Sequence, residues 1–133
     1  MRRIILASIL PIIEGLGYAI VEVYIQFRLG YFPMNSGSWF LWFVRNHPHI
    51  AYYIGMFIVL STPWTYWRNF WLWLYSTTIA FWSEDVFYWV LIWEPPHSWG
   101  PIYIVWHGVP ILYIPATALV ALSLIMYVRA EKQ

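Results

Sequence analysis

The sequence predicts an all-α integral membrane protein, a single domain of four transmembrane helices. Three observations predict it: the composition, the lengths of the apolar runs and the placement of the charges. Of the 133 residues, 62% are hydrophobic, 23% are aromatic and 10% are charged. An ordinary soluble domain carries about 25% charged residues, and a chain this short could not hide such an apolar excess from water. The composition therefore excludes a soluble globular domain and a disordered tail.

Charge and cysteine content exclude further classes of protein. Seven Lys and Arg against six Asp and Glu give a net charge of +1, so the chain lacks the basic surface that nucleic-acid binding requires. The absence of cysteine excludes disulfide bonds, thiolate metal ligands and cysteine nucleophiles. The expected partners are the lipid bilayer and either other membrane-protein subunits or further copies of the chain. An aromatic-rich surface on so small a bundle favours such contacts.

The first two predicted spans cover residues 4–27 and 38–61. The first follows Arg2 and Arg3 and is expected to be a retained helix that bends at Pro11, since no small-residue cleavage site of a secretory signal follows it. The second contains the polar segment 45–49. It is either one helix kinked at Pro48 or an interfacial helix followed by a short span.

The last two predicted spans cover residues 64–93 and 99–128. The third is longer than the roughly 20 residues that cross a bilayer, so it should be tilted or broken, and the polar run 83–85 is the natural break. Thr62 followed by Pro63 is typical of a helix start. The fourth span should be kinked, because it holds Pro110 and Pro115.

The distribution of basic residues predicts the orientation. Four spans bring both termini to one side of the membrane, together with most of the basic residues: Arg2, Arg3, Arg68, Arg129 and Lys132. The positive-inside rule then predicts a multi-pass protein of the cell membrane with both termini in the cytoplasm. A faint repeat at an offset of 62 residues, which aligns Glu22 with Glu84, would make the bundle two parallel hairpins.

Ionisable side chains within the predicted spans are the candidates for a functional site, since charge in a bilayer is costly. At about 1.5 Å per helical residue, all four spans place such groups in the outer half of the membrane. We expect one outward-opening pocket with Glu14 at its floor, lined by Glu22, Arg45, His49, Glu84, Asp85 and His107. Asp85 and His107 should lie within one ligand or one water of each other. The alternative is that these groups cap helix breaks or bond between helices.

Two kinds of chemistry fit these residues. The candidate metal ligands are Glu22, His49, Glu84, Asp85 and His107, and carboxylates with imidazoles suit Zn, Fe, Mn or Cu. Without a metal, Glu14 or Asp85 would be the catalytic acid that protonates or isomerises an apolar or lipid substrate. The alternative functions are a non-catalytic subunit of a larger membrane complex and a small proton-coupled transporter.

Two features resemble known families. The run EDVFYW at residues 84–89 looks like the acidic pair and following aromatics of small membrane-bound lycopene cyclases. That resemblance, which covers six residues, implies that Glu84 and Asp85 start a cyclisation by protonation. A four-span chain with Glu14 in its first helix is similar to small multidrug resistance transporters, whose proton-coupled glutamate would be Glu14.

Overall fold

The computed structural model describes residues 2–24, 46, 48–92, 95–98 and 103–132. Across these residues the fold is all-α, with four helices: α1 (Arg2–Tyr24), α2 (Pro48–Ser61), α3 (Phe70–Ile92) and α4 (Tyr113–Ala130). A 3-10 helix (Pro63–Trp67) lies between α2 and α3, and a two-stranded antiparallel ribbon, β1 (Val105–Trp106) and β2 (Val109–Pro110), precedes α4. The predicted beginnings of the second and fourth spans, at residues 38 and 99, lie outside the described residues.

The central helix of the described fold is α3, which contacts each of the other three. The start of α1 packs on the start of α3, where the hydroxyl oxygens of Ser8 and Tyr75 lie 2.8 Å apart. Tyr127, near the end of α4, joins Leu72 and Tyr75 in one buried apolar cluster. The helix α3 is therefore parallel to α1 and antiparallel to α4, and the starts of α1 and α3 meet the end of α4 at one end of the bundle.

Small residues let α1 and α3 pack closely. Ala7, Gly15 and Ala19 of α1 are buried, and so is Ala80 of α3. A methyl group on Gly15 would come within 2.7 Å of the Ala80 carbonyl oxygen and of the Glu84 backbone nitrogen. Close approach of helix backbones at small residues is the usual way that helices associate in lipid.

The first helix continues through Pro11, and α3 supplies the hydrogen bond that this proline removes. Proline has no N–H to donate to the carbonyl one turn earlier, which is that of Ala7. The Ser76 hydroxyl of α3 donates to this carbonyl oxygen at 3.2 Å. A buried carbonyl that proline would leave without a donor is thus satisfied between helices.

The prediction of a break at residues 83–85 is wrong, because α3 is helical without interruption from Phe70 to Ile92. The polar side chains of this run find partners inside the bundle. The Ser83 hydroxyl donates to the Pro11 carbonyl oxygen at 3.3 Å, and Glu84 bonds to Glu22. Polar groups that are satisfied by neighbouring helices do not need to end the helix that carries them.

The chain breaks instead before α3. Pro63 opens the 3-10 helix directly after Thr62, as expected of a helix start, but the Thr62 side chain makes no capping hydrogen bond. Arg68 then takes a left-handed conformation with φ 49°. The Asn69 side-chain oxygen accepts the Leu72 backbone N–H at 3.1 Å and so caps α3. The surplus length of the predicted third span is therefore taken up by a separate short helix.

The prediction of a helix throughout 99–128 is wrong at residues 105–110. The ribbon there has two residue pairs, Val105 with Pro110 and Trp106 with Val109. The two residues of its turn, His107 and Gly108, have φ values of 49° and 79°. Positive φ at both central residues is the property of a type I′ hairpin turn, whose twist matches that of the strands.

The prolines expected to kink the second and fourth spans lie at helix ends or outside helices. Pro48 is the first residue of α2, and the chain before it, apart from Asn46, is outside the described residues. Pro110 lies in β2. Pro115 lies in the first turn of α4, where a backbone N–H has no partner within the helix. The predicted kink of the fourth helix is therefore wrong.

Two of the described helices are long and apolar enough to cross a membrane, α1 over Arg2–Glu22 and α4 over Tyr113–Ala130. Only 22% and 11% of their apolar windows are buried. A core helix of a soluble protein would bury its apolar side chains, whereas these helices leave most of theirs exposed.

Candidate functional site

A cavity of about 480 Å³ lies against α3, between residues of α2 and α4. Its walls are mainly apolar and aromatic, with Tyr53, Met56 and Phe57 from α2 and Tyr113, Pro115, Ala116 and Leu119 from α4. The lining residues of α3 reach from Trp73 to Trp89, which is about 24 Å of helix. The cavity is therefore elongated along α3.

Three carboxyl groups line one end of this cavity: Glu22 from α1, and Glu84 and Asp85 from α3. Glu84 is 3% exposed and is hydrogen-bonded to Glu22. Two carboxyl groups can bond to each other only when one carries a proton, because an ionised carboxylate only accepts hydrogen bonds. The Glu22–Glu84 pair therefore shares a proton.

Asp85 is held by two tyrosines. The hydroxyls of Tyr103 and Tyr113 each donate to its Oδ2 at 2.7 Å. The indole N–H of Trp89 donates in turn to the Tyr103 hydroxyl, also at 2.7 Å. Two donors on one oxygen fix the position of the Asp85 carboxyl group and offset part of the cost of burying its charge. The site thus combines a carboxyl pair that shares a proton with a neighbouring carboxyl group held by tyrosines.

The Tyr103 hydroxyl remains a hydrogen-bond donor over a wide pH range. Tyr103 lies outside the helices, before the ribbon, and is 3% exposed. Burial raises the pKa of its hydroxyl, and the hydrogen bond to Asp85 and the charge of Asp85 raise this pKa further. A neutral phenol at this position keeps Asp85 in place.

Glu14, expected at the floor of the pocket, lies elsewhere. It is not among the described residues that line the cavity, and its carboxyl group faces the indole of Trp64. Within the described part of the chain, Glu14 Oε2 and Trp64 Nε1 are buried without a hydrogen-bond partner. Glu14 and Asp85 thus do not line this cavity together.

The structure does not place His107 beside Asp85 as expected. The hydrogen-bond partners of Asp85 are Tyr103 and Tyr113 instead. His107 is exposed on the turn of the ribbon, where its ring lies 4.7 Å from that of Trp106. It does not belong to the described lining of the cavity. The side chain of His49 and the whole of Arg45 lie outside what the structure describes.

Over the same ranges of the chain, no group of three or more His, Cys, Asp or Glu side chains is placed to hold a metal ion. The residues that sequence reasoning missed are the two tyrosines that hold Asp85. Their only signal is compositional, since eleven tyrosines and eleven tryptophans are more than interfacial belts require.

Comparison with protein families, characterised proteins and solved structures finds no match to this chain. Its function must therefore be argued from the chemistry of the site itself.

Proposed function

We propose that the protein is a membrane-embedded enzyme that moves protons on an apolar, chain-shaped lipid or isoprenoid substrate. One observation carries the proposal: the proton-sharing Glu22–Glu84 pair and the carboxyl group of Asp85 line the same end of an apolar cavity. Proton-transfer reactions need an acid and a base in neighbouring positions. Different surroundings can keep one carboxyl group protonated and another ionised.

The proposal includes a bundle of four membrane spans with both termini in the cytoplasm. The helix directions support it, because four successive crossings require α1 and α3 to be parallel and α4 to run against them. The direction of α2 agrees, since Ser61 at its end accepts a hydrogen bond from Trp73 near the start of α3. The exposed apolar faces of α1 and α4 would contact lipid.

The shape and lining of the cavity support an apolar substrate of some length. A volume of about 480 Å³ lies within the usual range of ligand sites, which are mainly apolar with a few placed polar groups. A linear chain could lie along α3, past Trp73 and Phe81, with its reacting end beside Asp85. The carboxyl groups at one end would then select the atoms that react.

The proposed reaction transfers one proton in and one proton out. The Glu22–Glu84 pair donates its proton to one carbon of a C=C bond, whose π electrons form the new C–H bond and leave a cation on the other carbon. Ring faces of Trp82 and Tyr88, which line the cavity, stabilise that cation. Asp85 removes a proton from an adjacent carbon, and the C–H electrons form a new double bond. Return of this proton to the Glu22–Glu84 pair restores the site, so that no co-reactant is consumed.

Deuterium incorporation tests this proposal without knowledge of the product. The purified protein in lipid nanodiscs is incubated in D₂O with squalene or geranylgeraniol as the probe. The probe is recovered and returned to H₂O, and mass spectrometry then measures the deuterium bound to its carbon atoms. We expect incorporation by the wild type and a loss of about 100-fold or more in Glu84→Gln and in Asp85→Asn, since general acid–base groups contribute such factors.

Glu131→Gln is the matched control, because it removes an exposed carboxylate at the other end of the bundle. It should incorporate deuterium like the wild type. Incorporation that survives both cavity substitutions would exclude the proposed roles. If the wild type incorporates no deuterium into either probe, the non-catalytic subunit becomes the better interpretation.

A further inference from the structure

A second concavity lies at the end of the bundle away from the three carboxyl groups. It encloses about 1070 Å³, and its walls come from the start of α1, the 3-10 helix, the start of α3 and the end of α4. Three arginines line it: Arg2, Arg3 and Arg68. Glu131 is the one carboxylate among its described lining residues, so the surface of the concavity is positively charged.

Aromatic side chains share this end of the bundle with the arginines. Trp64, Tyr66 and Trp67 of the 3-10 helix all line the concavity, and Tyr66 is 83% exposed. Tryptophan and tyrosine are enriched at the level of lipid head groups, where one part of the ring is apolar and another is hydrated. The concavity thus has the composition of the membrane interface.

The backbone at Arg68 is in a conformation that favours glycine. Its φ of 49° and ψ of 23° lie in the left-handed region. Residues other than glycine and asparagine rarely adopt this backbone conformation. The Arg68 N–H donates to the Thr65 carbonyl oxygen at 3.2 Å, which fixes the turn. An arginine in a backbone conformation that glycine adopts more easily indicates that the arginine side chain has a function.

We propose that this concavity binds the phosphate group of an anionic lipid head group. A guanidinium group offers paired donors that match phosphate oxygens, and three of them line the concavity, two from the start of α1 and one from the residue after the 3-10 helix. Basic pockets between membrane helices attract the head groups of anionic lipids. This inference depends on the membrane location and not on the chemistry of the acidic cavity.

The two sites lie far apart. About 21 Å of helix separates Glu84 from Phe70, which follows Arg68 by two residues. A change in the arginines should therefore alter lipid binding without altering the carboxyl pair.

Native mass spectrometry of the detergent-solubilised protein tests the proposal. The probes are dioleoyl phosphatidylglycerol, which is anionic, and dioleoyl phosphatidylcholine, which is zwitterionic. We expect one phosphatidylglycerol to bind at least tenfold more tightly than phosphatidylcholine. Arg2→Gln, Arg3→Gln and Arg68→Gln should each weaken that binding by about fivefold, the effect expected of one basic residue near anionic lipid.

Control variants and a soluble phosphate compound distinguish binding in the concavity from diffuse charge attraction and from binding of free phosphate. Arg129→Gln and Lys132→Gln remove basic groups from the same end of the bundle but outside the described lining, and they should change the preference by less than twofold. An equal loss in these controls would show diffuse attraction and overturn the proposal. So would equal binding of the two lipids by the wild type. If soluble glycerol 3-phosphate binds as tightly as phosphatidylglycerol, the site takes a free phosphate and the lipid assignment is wrong.

Discussion

Gly15 of α1 contacts Ser83 of α3 so closely that a methyl group at Gly15 would overlap the Ser83 hydroxyl. The Ala80 carbonyl oxygen and the Glu84 nitrogen, each 2.7 Å from the same position, are backbone atoms that cannot turn aside. This crossing sets the spacing of the two helices that carry Glu22 and Glu84. The carboxyl pair therefore depends on a glycine that touches the backbone of Glu84 and lies about two turns before Glu22 on α1.

Gly15→Ala should destabilise the protein by about 1–3 kcal/mol, since overpacking forces the backbones apart. The matched control is Gly17→Ala, because nothing lies within 4 Å of a methyl group at Gly17. Alanine is the better helix former by up to about 1 kcal/mol, so this control should be neutral or stabilising. Thermal unfolding in detergent measures both, and equal effects of the two substitutions would contradict the close crossing.

The hydrogen bond between Ser76 and the Ala7 carbonyl should matter only while Pro11 is present. Ser76→Ala removes the donor at 3.2 Å and leaves a buried carbonyl unsatisfied, at a cost of about 1–3 kcal/mol. In Pro11→Ala the helix supplies its own N–H to this carbonyl. A double-mutant cycle should then show that Ser76→Ala costs at least about 0.5 kcal/mol less. Additive effects would contradict the compensation.

The sequence predicted the presence of the helices better than it predicted their ends. It also predicted that carboxyl groups of α1 and α3 would line a common pocket. Apolar runs indicate helices directly, and Glu22, Glu84 and Asp85 line one cavity in the structure. Their positions along the helices follow from the helical rise, which applies to α1 and α3 because both are continuous helices.

The same estimate failed at His107 because the chain there is not helical. A short apolar run does not distinguish a strand from a helix by periodicity, and the His107–Gly108 turn lacks the Asn or Asp that marks most type I′ turns. The roles of Tyr103 and Tyr113 could not be predicted, since a hydroxyl that bonds to Asp85 looks in sequence like any interfacial tyrosine.

Stability at high pH should report the buried Tyr103 hydroxyl. Its pKa is higher in the folded protein than the value of about 10 in the unfolded chain. The resulting stabilisation is complete below pH 10 and is lost as the pH rises above 10, by up to about 1.4 kcal/mol per pH unit. Tyr103→Phe should remove this contribution to the pH dependence of the unfolding free energy.

Asp85→Asn should reduce the same contribution, because the charge of Asp85 contributes to the raised pKa of Tyr103. Denaturant unfolding between pH 9 and 12 measures the slopes, and an unchanged slope in Tyr103→Phe would contradict the assignment.

Arg68→Gly should stabilise the fold while it weakens lipid binding. Glycine relieves a left-handed conformation that costs other residues about 1–2 kcal/mol, and part of this gain is offset by the entropy of the unfolded chain. Arg129→Gly is the control within α4, where glycine should destabilise by about 1 kcal/mol. Unfolding and native mass spectrometry together check the two effects, and a destabilised Arg68→Gly variant would contradict the strain.

The most direct measurement of the central claim is the infrared absorption of the carboxyl groups at neutral pH. If Glu22 and Glu84 share a proton, the wild type shows the carbonyl stretch of a protonated carboxylic acid. That band shifts in D₂O. It remains in the exposed control Glu131→Gln and in the Glu14→Gln, Asp85→Asn variant, which removes the two other carboxyl groups of α1 and α3. It disappears when Glu22→Gln and Glu84→Gln are added to that variant. A wild-type spectrum without the band, or a band that survives in the fourfold variant, would contradict the proton-sharing pair on which the proposed chemistry depends.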